Sequence, residues 1–193
     1  MLLAELAHIV QAELKSAVDS QIEFSGVAID TRRLHAGNLY IAYAGPKHNG
    51  HDFVSEAARL GASAALVSQW VDVDLPQIKV PDTLVALQRY AAWHRSQFQP
   101  TVIAITGSCG KTTTRSLLQS ILSVNHSVLA TEGNYNNHIG VPLMLLRLHA
   151  AHQFAVFELG ANHMGEIAHL AELVQPDVAL ITQAGFAHIE GFG

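Results

Sequence analysis

The chain has 193 residues, of which 49% are hydrophobic and 14% charged, and its formal net charge is −5 at pH 7. This composition excludes a disordered chain, and no apolar stretch approaches the ~20 residues that a membrane span requires. An acidic balance without a basic cluster argues against nucleic acid as the main partner, and a single cysteine favours a reducing cytoplasmic setting.

Residues 1–81 are expected to form a small N-terminal α/β domain. The start, MLLAELAHIVQAEL, repeats apolar residues at helical spacing and lacks a basic leader, so it predicts a first helix rather than a signal peptide. Farther along, LYIAYAG predicts a strand that turns at Gly45, and HDFVSEAARL predicts a helix that ends at Gly61. The runs AALV and QIKV predict two more strands.

The stretch PDTLVALQRYAAWHRSQF predicts a helix over residues 82–99 that links two domains. Asp82 is the expected N-cap, because its carboxylate can accept the free N–H groups of the first turn. Leu84, Leu87 and Ala91 share one face at helical spacing. We expect the helix to end before Pro100.

Residues 100–193 are expected to form a doubly wound parallel sheet that binds nucleotide. The runs TVIAI, FAVFELG and DVALIT predict buried parallel strands. Between them, KTTTRSLLQSILSV and GEIAHLAELV predict helices, and this alternation is typical of the fold. In the first of these helices, the residues expected to face inward are Leu117, Leu118, Ile121 and Leu122.

The loop ITGSCGKTTT, residues 105–114, carries the chemistry of a phosphate site. It lies between a predicted strand and a helix N-terminus, where unpaired N–H groups and the helix dipole favour an anion. Gly107 and Gly110 allow the backbone to approach a phosphate closely, and Lys111 and Thr112 supply a cation and a magnesium-binding hydroxyl. The alternative is a glycine-rich structural turn.

Cys109 lies in the same loop and allows two interpretations. A helix N-terminus lowers the pKa of a thiol, which would make this cysteine reactive. No partner base is identifiable in the sequence, so we interpret Cys109 as a small loop residue.

Two polar residues follow predicted strands at the edge where ligands of parallel sheets gather. Glu158 closes FAVFE, and His188 lies in the loop after DVALIT. A carboxylate there can hold magnesium beside the hydroxyl of Thr112. The alternatives are a solvated strand end for Glu158 and a solvated side chain for His188.

Two histidine pairs have a spacing that a metal site could use, His48 with His51 and His149 with His152. Neither pair has a cysteine or a third ligand close in the sequence. We therefore interpret all four as solvated or capping histidines.

Taken together, these motifs resemble the Mur ligases, a family of ATP-dependent, amide-forming enzymes of peptidoglycan synthesis. The stretch DTRRLHAGNLYIAYAGPKHNGHDF resembles their N-terminal domain, and ITGSCGKTTT resembles their short G-x-x-G-K-T loop. The stretches TEGNYNNHIGVPLMLL, FELGANHMGEIAHL and AGFAHIEGFG resemble the member that joins D-Ala-D-Ala to UDP-MurNAc-tripeptide. The resemblance covers essentially the whole chain.

The resemblance implies ATP and Mg²⁺ as cofactors and an acyl-phosphate intermediate. It places Lys111 in catalysis and assigns the magnesium ions to Thr112, Glu158 and His188. The implied substrate contacts are Asp30, Thr31, Arg32, Asn136 and Asn137, with the first three near the UDP end. The implied contacts of the ATP phosphates are Gly107, Ser108, Cys109, Gly110, Lys111, Thr112 and Thr113.

Family members have three domains, so we expect here an incomplete central domain, no C-terminal domain, and no ligase activity from the 193 residues alone. We also expect a monomer without membrane insertion. The alternative is a truncated paralogue that binds nucleotide or UDP-sugar without ligating. A simple P-loop ATPase or kinase would leave NYNNHIGVP unexplained.

Overall fold

A computed structural model describes residues 1–185 of the chain. The chain divides into two compact units, Met1–Tyr90 and a second unit that begins at Ala91. Each contains a sheet that is wholly or mainly parallel, so the prediction of a mixed α/β protein is confirmed. The boundary between the units falls inside helix α3, Thr83–Ser96.

The first unit contains a five-stranded sheet with the order β1-β5-β4-β3-β2. All neighbouring strands are parallel except β1, which runs antiparallel to β5. The strands are β1 (Glu13–Leu14), β2 (Val27–Ala28), β3 (Leu39–Ile41), β4 (Ala64–Val67) and β5 (Gln77–Lys79). The helices are α1 (Leu3–Val10) and α2 (Val54–Arg59), with 3₁₀ turns at Ala17–Gln21, Thr31–Arg33 and Gly50–Phe53.

The predicted first helix is confirmed but is shorter than its apolar pattern suggested. Gln11 adopts a left-handed conformation that ends α1, and Glu13 and Leu14 then pair with β5. The strands at AALV and QIKV are confirmed, and β4 is buried at all four positions, as expected of a parallel strand. The two-residue strands β1 and β2 are too short to leave a pattern in the sequence.

The second unit contains a parallel sheet with the order β7-β8-β6-β9. Its strands are β6 (Thr101–Thr106), β7 (Val128–Ala130), β8 (Phe154–Glu158) and β9 (Val178–Ile181). Its helices, besides the last part of α3, are α4 (Lys111–Leu122), α5 (Gly140–Leu145) and α6 (Glu166–Val174). The sequence did not indicate β7 or α5, which have three and six residues.

Alternate residues of β6 enter two separate apolar clusters, so helices cover both faces of the sheet. Val102 and Ala104 pack in one cluster with residues of α5 and α6. Ile103 and Ile105 pack in the other with Leu118 of α4. Successive side chains of a strand point to opposite faces of the sheet, so β6 can pack against helices on both faces. This is the doubly wound arrangement that the sequence predicted.

Two predictions of burial are wrong in this unit. Only Leu118 and Leu122 of α4 pack on the sheet, whereas Leu117 is 60% and Ile121 66% exposed. A helix turns by about 100° per residue, so one narrow stripe meets a flat sheet and adjacent leucines cannot both reach it. Strand β9 was expected to be buried, but all four of its residues are exposed, because among the described residues it pairs only with β6.

At the start of α3, the predicted cap is confirmed. The carboxylate of Asp82 accepts the N–H groups of Leu84 and Val85 at 2.8 and 3.1 Å. Within residues 1–185, no helix combines the length and the apolar character that crossing a membrane would require.

Candidate functional site

The glycine loop connects β6 to α4 through two left-handed residues. Gly107 has φ +134° and Gly110 has φ +84°, a region that residues with a Cβ rarely adopt. A Cβ on Gly107 would also lie 2.9 Å from the carbonyl oxygen of Gln183. Both glycines are therefore required by the backbone itself, which gives a physical reason for the loop pattern that the sequence indicated.

Lys111 and Thr112 occupy the first turn of α4, directly after the loop. The ammonium group of Lys111 donates to the carbonyl oxygen of Gly107 at 2.5 Å, so its charge is held beside the loop. The first N–H groups of a helix have no partner within the helix. Cys109 and Thr113 are exposed near them, and this end of α4 offers positive potential and free donors to an anion.

Glu158 is the buried acid of the site, with 3% of its surface exposed. One carboxylate oxygen accepts the hydroxyl of Thr112 at 2.8 Å, and the other accepts the side-chain amide of Asn136 at 2.9 Å. Its backbone N–H donates to the hydroxyl of Thr131 at 2.9 Å. Within residues 1–185, no lysine, arginine or histidine forms an ion pair with this carboxylate.

A buried carboxylate that has only neutral partners is a good place for a cation. The oxygen atoms that meet here, the carboxylate of Glu158 and the hydroxyl of Thr112, are the ligands that Mg²⁺ prefers. The donor set therefore fits magnesium. Within the same described range, no group of three or more His, Cys, Asp or Glu side chains has the geometry of a metal site.

The two asparagines of NYNNHIG have different surroundings. The side-chain amide of Asn136 donates to Glu158, and the backbone carbonyl oxygen of Asn136 accepts the N–H of Gly160 at 2.8 Å. The side-chain oxygen of Asn137 instead accepts the N–H groups of Ile139 and Gly140 at 3.1 and 2.9 Å, an Asx turn that begins α5. The structure thus engages both asparagines in contacts within the chain, which the sequence did not indicate.

Two residues after β9 contact the glycine loop. The sequence did not indicate these contacts either. The hydroxyl of Thr182 lies 2.5 Å from the carbonyl oxygen of Cys109, and the carbonyl oxygen of Gln183 accepts the N–H of Ser108 at 2.9 Å. Threonine and glutamine at the end of a strand carry no pattern that would identify them. His188, a predicted metal ligand, lies outside the described residues.

The first unit contains a cavity of about 690 Å³ beside Asp30, Thr31 and Arg32. Asp30 and Arg32 form a two-pronged ion pair, with 2.6 Å between Nη2 and Oδ2, and this contact lowers the pKa of the Asp30 carboxyl. The lining consists of Ile29, Asp30, Thr31, Arg32, Tyr40, Tyr43, Gly45, Pro46, Lys47, His48, Gly50, Phe53 and Glu56.

In the wall of this cavity, burial raises the pKa of Tyr40 to about 12, and its hydroxyl donates to the carbonyl oxygen of Gly50 at 3.0 Å. The hydroxyl of Thr31 donates to Glu56 at 3.1 Å. The first contact attaches the turn Gly50–Phe53 to β3, and the second joins the turn Thr31–Arg33 to α2. The lining of the cavity offers aromatic surface together with cationic side chains.

His51 is buried, so the expectation of a solvated or capping side chain is wrong for this residue. Its Nε2 accepts the N–H of Ser68 at 2.9 Å, which requires the proton on Nδ1, and Nδ1 donates to Asn49 at 2.8 Å. Burial lowers the pKa of its imidazole. In the other pair, the backbone N–H of His149 donates to Nδ1 of His152 at 3.2 Å.

Comparison with known families gives two matches. The family described as the Mur ligase middle domain matches residues 105–193. The family described as Mur ligase family, catalytic domain, matches residues 23–95.

Among curated proteins, the chain is similar to UDP-N-acetylmuramoyl-tripeptide--D-alanyl-D-alanine ligases. It is 46% identical to that of Escherichia coli (strain K12) over 191 residues, which is 99% of this chain and 42% of that protein. It is 38% identical to that of Bacillus subtilis (strain 168) over 192 residues, again 42% of that protein. The chain thus spans less than half the length of these relatives.

Solved structures give the same result. A crystal structure of MurF from Acinetobacter baumannii superposes with a TM-score of 0.90 and 41% identity, covering 97% of this chain and 41% of that one. MurF from Thermotoga maritima in complex with ADP superposes with a TM-score of 0.77 and 34% identity, covering 85% and 38%.

Proposed function

The chain belongs to the Mur ligase family, and on this premise we propose that the protein it forms part of joins D-Ala-D-Ala to UDP-MurNAc-tripeptide at the expense of ATP. The relatives named for this reaction are 38–46% identical to the chain over aligned regions that span nearly all of its 193 residues. The observation that carries the proposal is the hydrogen bond between Thr112 and the buried Glu158, directly below the glycine loop.

ATP is the proposed energy source because the loop and α4 supply what its phosphates need. The backbone N–H groups of Gly107 and of residues 109–113 would hold the phosphates, while that of Ser108 donates to Gln183. The ammonium group of Lys111 would move from the carbonyl oxygen of Gly107 onto the phosphates. There it would neutralise the charge that grows on the transferred phosphoryl group. The relative from Thermotoga maritima was solved in complex with ADP, which supports an adenine nucleotide as the ligand.

Magnesium is the proposed second cofactor. Thr112 and Glu158 would hold it through oxygen atoms, with His188 as a further proposed ligand. When bound, such an ion neutralises phosphate charge and helps to orient the γ-phosphate. The part of Asn136 would then be to fix the rotamer of the Glu158 carboxylate, to which it already donates.

For the reaction itself, we propose attack by the terminal carboxylate of the tripeptide on the γ-phosphate of ATP, which gives an acyl phosphate and ADP. The free amine of D-Ala-D-Ala then attacks the acyl carbon, and phosphate leaves through a tetrahedral intermediate. Lys111 would stabilise the negative charge in the first step. Exclusion of water would protect the acyl phosphate until the amine arrives.

The cavity of the first unit is the proposed site for the UDP end of the substrate. Its volume of about 690 Å³ lies in the range of ligand sites. Tyr43 and Phe53 offer aromatic surface to a base, and Lys47 and Arg32 offer positive charge to a diphosphate. Asp30 would act mainly by holding Arg32 in place through their ion pair.

The test is phosphate release by the protein as its gene encodes it, with Mg-ATP and each substrate added or omitted. Release that requires both UDP-MurNAc-tripeptide and D-Ala-D-Ala, with formation of the amide product, is expected. ATP binding without any amide product would favour the alternative of a nucleotide-binding protein that does not ligate.

A further inference from the structure

Two residues that follow β9, Thr182 and Gln183, contact the end of β6 and the glycine loop. Thr182 Oγ1 lies 2.5 Å from the carbonyl oxygen of Cys109, and the backbone N–H of Thr182 donates to the carbonyl oxygen of Thr106 at 2.9 Å. The carbonyl oxygen of Gln183 accepts both the N–H and the hydroxyl of Ser108, at 2.9 and 3.1 Å. The space where a Cβ of Gly107 would lie is occupied by atoms of these same two residues.

These contacts determine where the loop N–H groups point. A trans peptide is planar, so its carbonyl oxygen and the following N–H point in opposite directions. When Thr182 fixes the carbonyl of Cys109, it turns the N–H of Gly110 to the opposite side of the chain. The bond to the carbonyl of Thr106 orients the N–H of Gly107 in the same way. Among the described residues, the N–H groups of Cys109 and Gly110 have no acceptor.

Thr182 has one hydroxyl proton and two carbonyl oxygens within reach. The oxygen of Cys109 at 2.5 Å is closer than that of Thr106 at 3.2 Å, so the proton belongs to the bond with Cys109. The backbone N–H of Thr182 already bonds to Thr106. Removing the hydroxyl therefore frees the loop carbonyl but leaves the pairing of β9 with β6 in place.

We propose that Thr182 is a positioning residue for nucleotide binding, since its hydroxyl holds the carbonyl of Cys109 and so keeps the N–H of Gly110 aimed at the phosphates. The inference rests on the proposed function, because it assumes that the loop binds ATP. It adds a residue 73 positions away from the loop, on a different strand. Preorganised donors need no rearrangement when the anion arrives, so the loss of this bond should appear as weaker ATP binding.

The experiment compares four forms of the protein as its gene encodes it: the parent, Thr182→Val, Thr182→Ser and Lys111→Ala. Valine keeps the branched shape of threonine without its hydroxyl, and serine retains the hydroxyl. Calorimetry measures the dissociation constant of ATP with magnesium present, and hydrogen exchange measures protection of the Ser108 amide without ligand. We expect ATP to bind the valine variant about fivefold to tenfold more weakly, and serine to restore binding to within about twofold of the parent.

Faster exchange of the Ser108 amide should accompany the weaker binding of the valine variant. Equal ATP affinity in the valine variant and the parent would overturn the inference, as would a loss with serine as large as with valine. If the valine variant does not fold, the inference is tested by ATP binding of the serine variant and by hydrogen exchange of the Ser108 amide in the parent. An amide that is not protected from exchange in the parent overturns the inference. Failure of the proposed function looks different: the parent then binds no ATP, or Lys111→Ala binds it equally well.

Discussion

The hydroxyl of Thr112 lies 2.8 Å from the carboxylate of Glu158, although 46 residues separate them in the chain. The parallel register of the sheet explains the contact. Ile105 of β6 is paired with Glu158 of β8, so the end of β8 reaches the point where the glycine loop begins. A buried acid, a hydroxyl and a helix N-terminus therefore meet at one edge of the sheet, as the proposed phosphoryl transfer from ATP would require.

Lys111→Ala should lower ligation by at least about a hundredfold, because a positioned charge on the transferred phosphoryl group is lost. Lys111 is partly exposed at the start of α4, so the melting temperature should change little. Product formation by chromatography measures the effect. Lys111→Arg should not restore activity, since a guanidinium is larger and presents its donors differently. Full activity in either variant would contradict the phosphate-loop assignment.

Glu158→Gln should move half-maximal activity to much higher magnesium concentrations. The substitution keeps the shape of the side chain and removes the charge that the proposed ion would contact. We expect a shift beyond the roughly 10–100-fold that loss of an outer partner produces. A magnesium titration at saturating ATP measures it. If the curves of the variant and the parent coincide, Glu158 does not bind the ion.

Asn136→Ala distinguishes two roles for this asparagine. If it orients Glu158, as their 2.9 Å contact suggests, half-maximal magnesium should rise about tenfold while the KM for the muramoyl substrate stays the same. If it binds substrate directly, that KM should rise and the magnesium curve should not move. Asn137→Ala is the matched control, and should cost about 1 kcal/mol of stability through the lost turn contact.

The first unit should lose stability as the pH falls below about 6.5, partly because of His51. Burial lowers the pKa of this imidazole in the folded chain, so the unfolded chain takes up the proton first and acid favours unfolding. Protonation of Nε2 would also place two donors face to face at Ser68. His51→Gln offers an oxygen to the same N–H and should flatten the pH dependence of the urea midpoint.

The matched control for that experiment is His48→Gln, which changes an exposed side chain three residues away. It should retain the pH dependence of the parent. Equal flattening in both variants would mean that the effect does not come from His51.

Neighbouring residues of α4 should respond differently to truncation in the 193-residue chain. Ile121 is 66% exposed, and Ile121→Ala should change the free energy of unfolding by no more than about 0.5 kcal/mol. Leu122 packs against the sheet, and Leu122→Ala should lower it by about 1–3 kcal/mol. Urea titrations of both variants measure the difference, and equal losses would contradict the packing described.

Light scattering tests the exposed face of α4 in a second way. Exposed apolar surface favours aggregation of a protein that is otherwise a monomer, and Ile121→Lys should reduce the scattering of concentrated samples, because it removes apolar surface next to exposed Leu117. Unchanged association in this variant would mean that another surface is responsible.

The sequence predicted the strands and helices that have strong local patterns. The apolar run at β6, the glycine loop and the cap at Asp82 all express preferences of residues close together in the chain. It failed where burial depends on distant neighbours. Leu117 and Leu118 are equally apolar, and only the position of the sheet decides which of them packs on it.

The same distinction between local patterns and distant contacts holds for the residues of the candidate site. Lys111, Thr112 and Glu158 could be proposed as site residues because their residue types and their places after strands indicate chemistry. The hydrogen bond of Asn136 to Glu158 and that of Thr182 to Cys109 could not, because each joins residues that are far apart in the sequence and ordinary in composition. Such contacts depend on the register of the sheet, which no short motif specifies.

The contacts between Gln183 and Ser108 also affect how the protein folds during its synthesis, because 75 residues separate these two residues. The ribosome adds about 5–20 residues per second, so the loop is made roughly 4–15 s before Gln183. During that interval the growing chain carries a glycine loop without fixed donors, and the proposed ATP site is incomplete. Nucleotide bound at this proposed site can therefore stabilise the nascent protein only after β9 has left the ribosome and paired with β6.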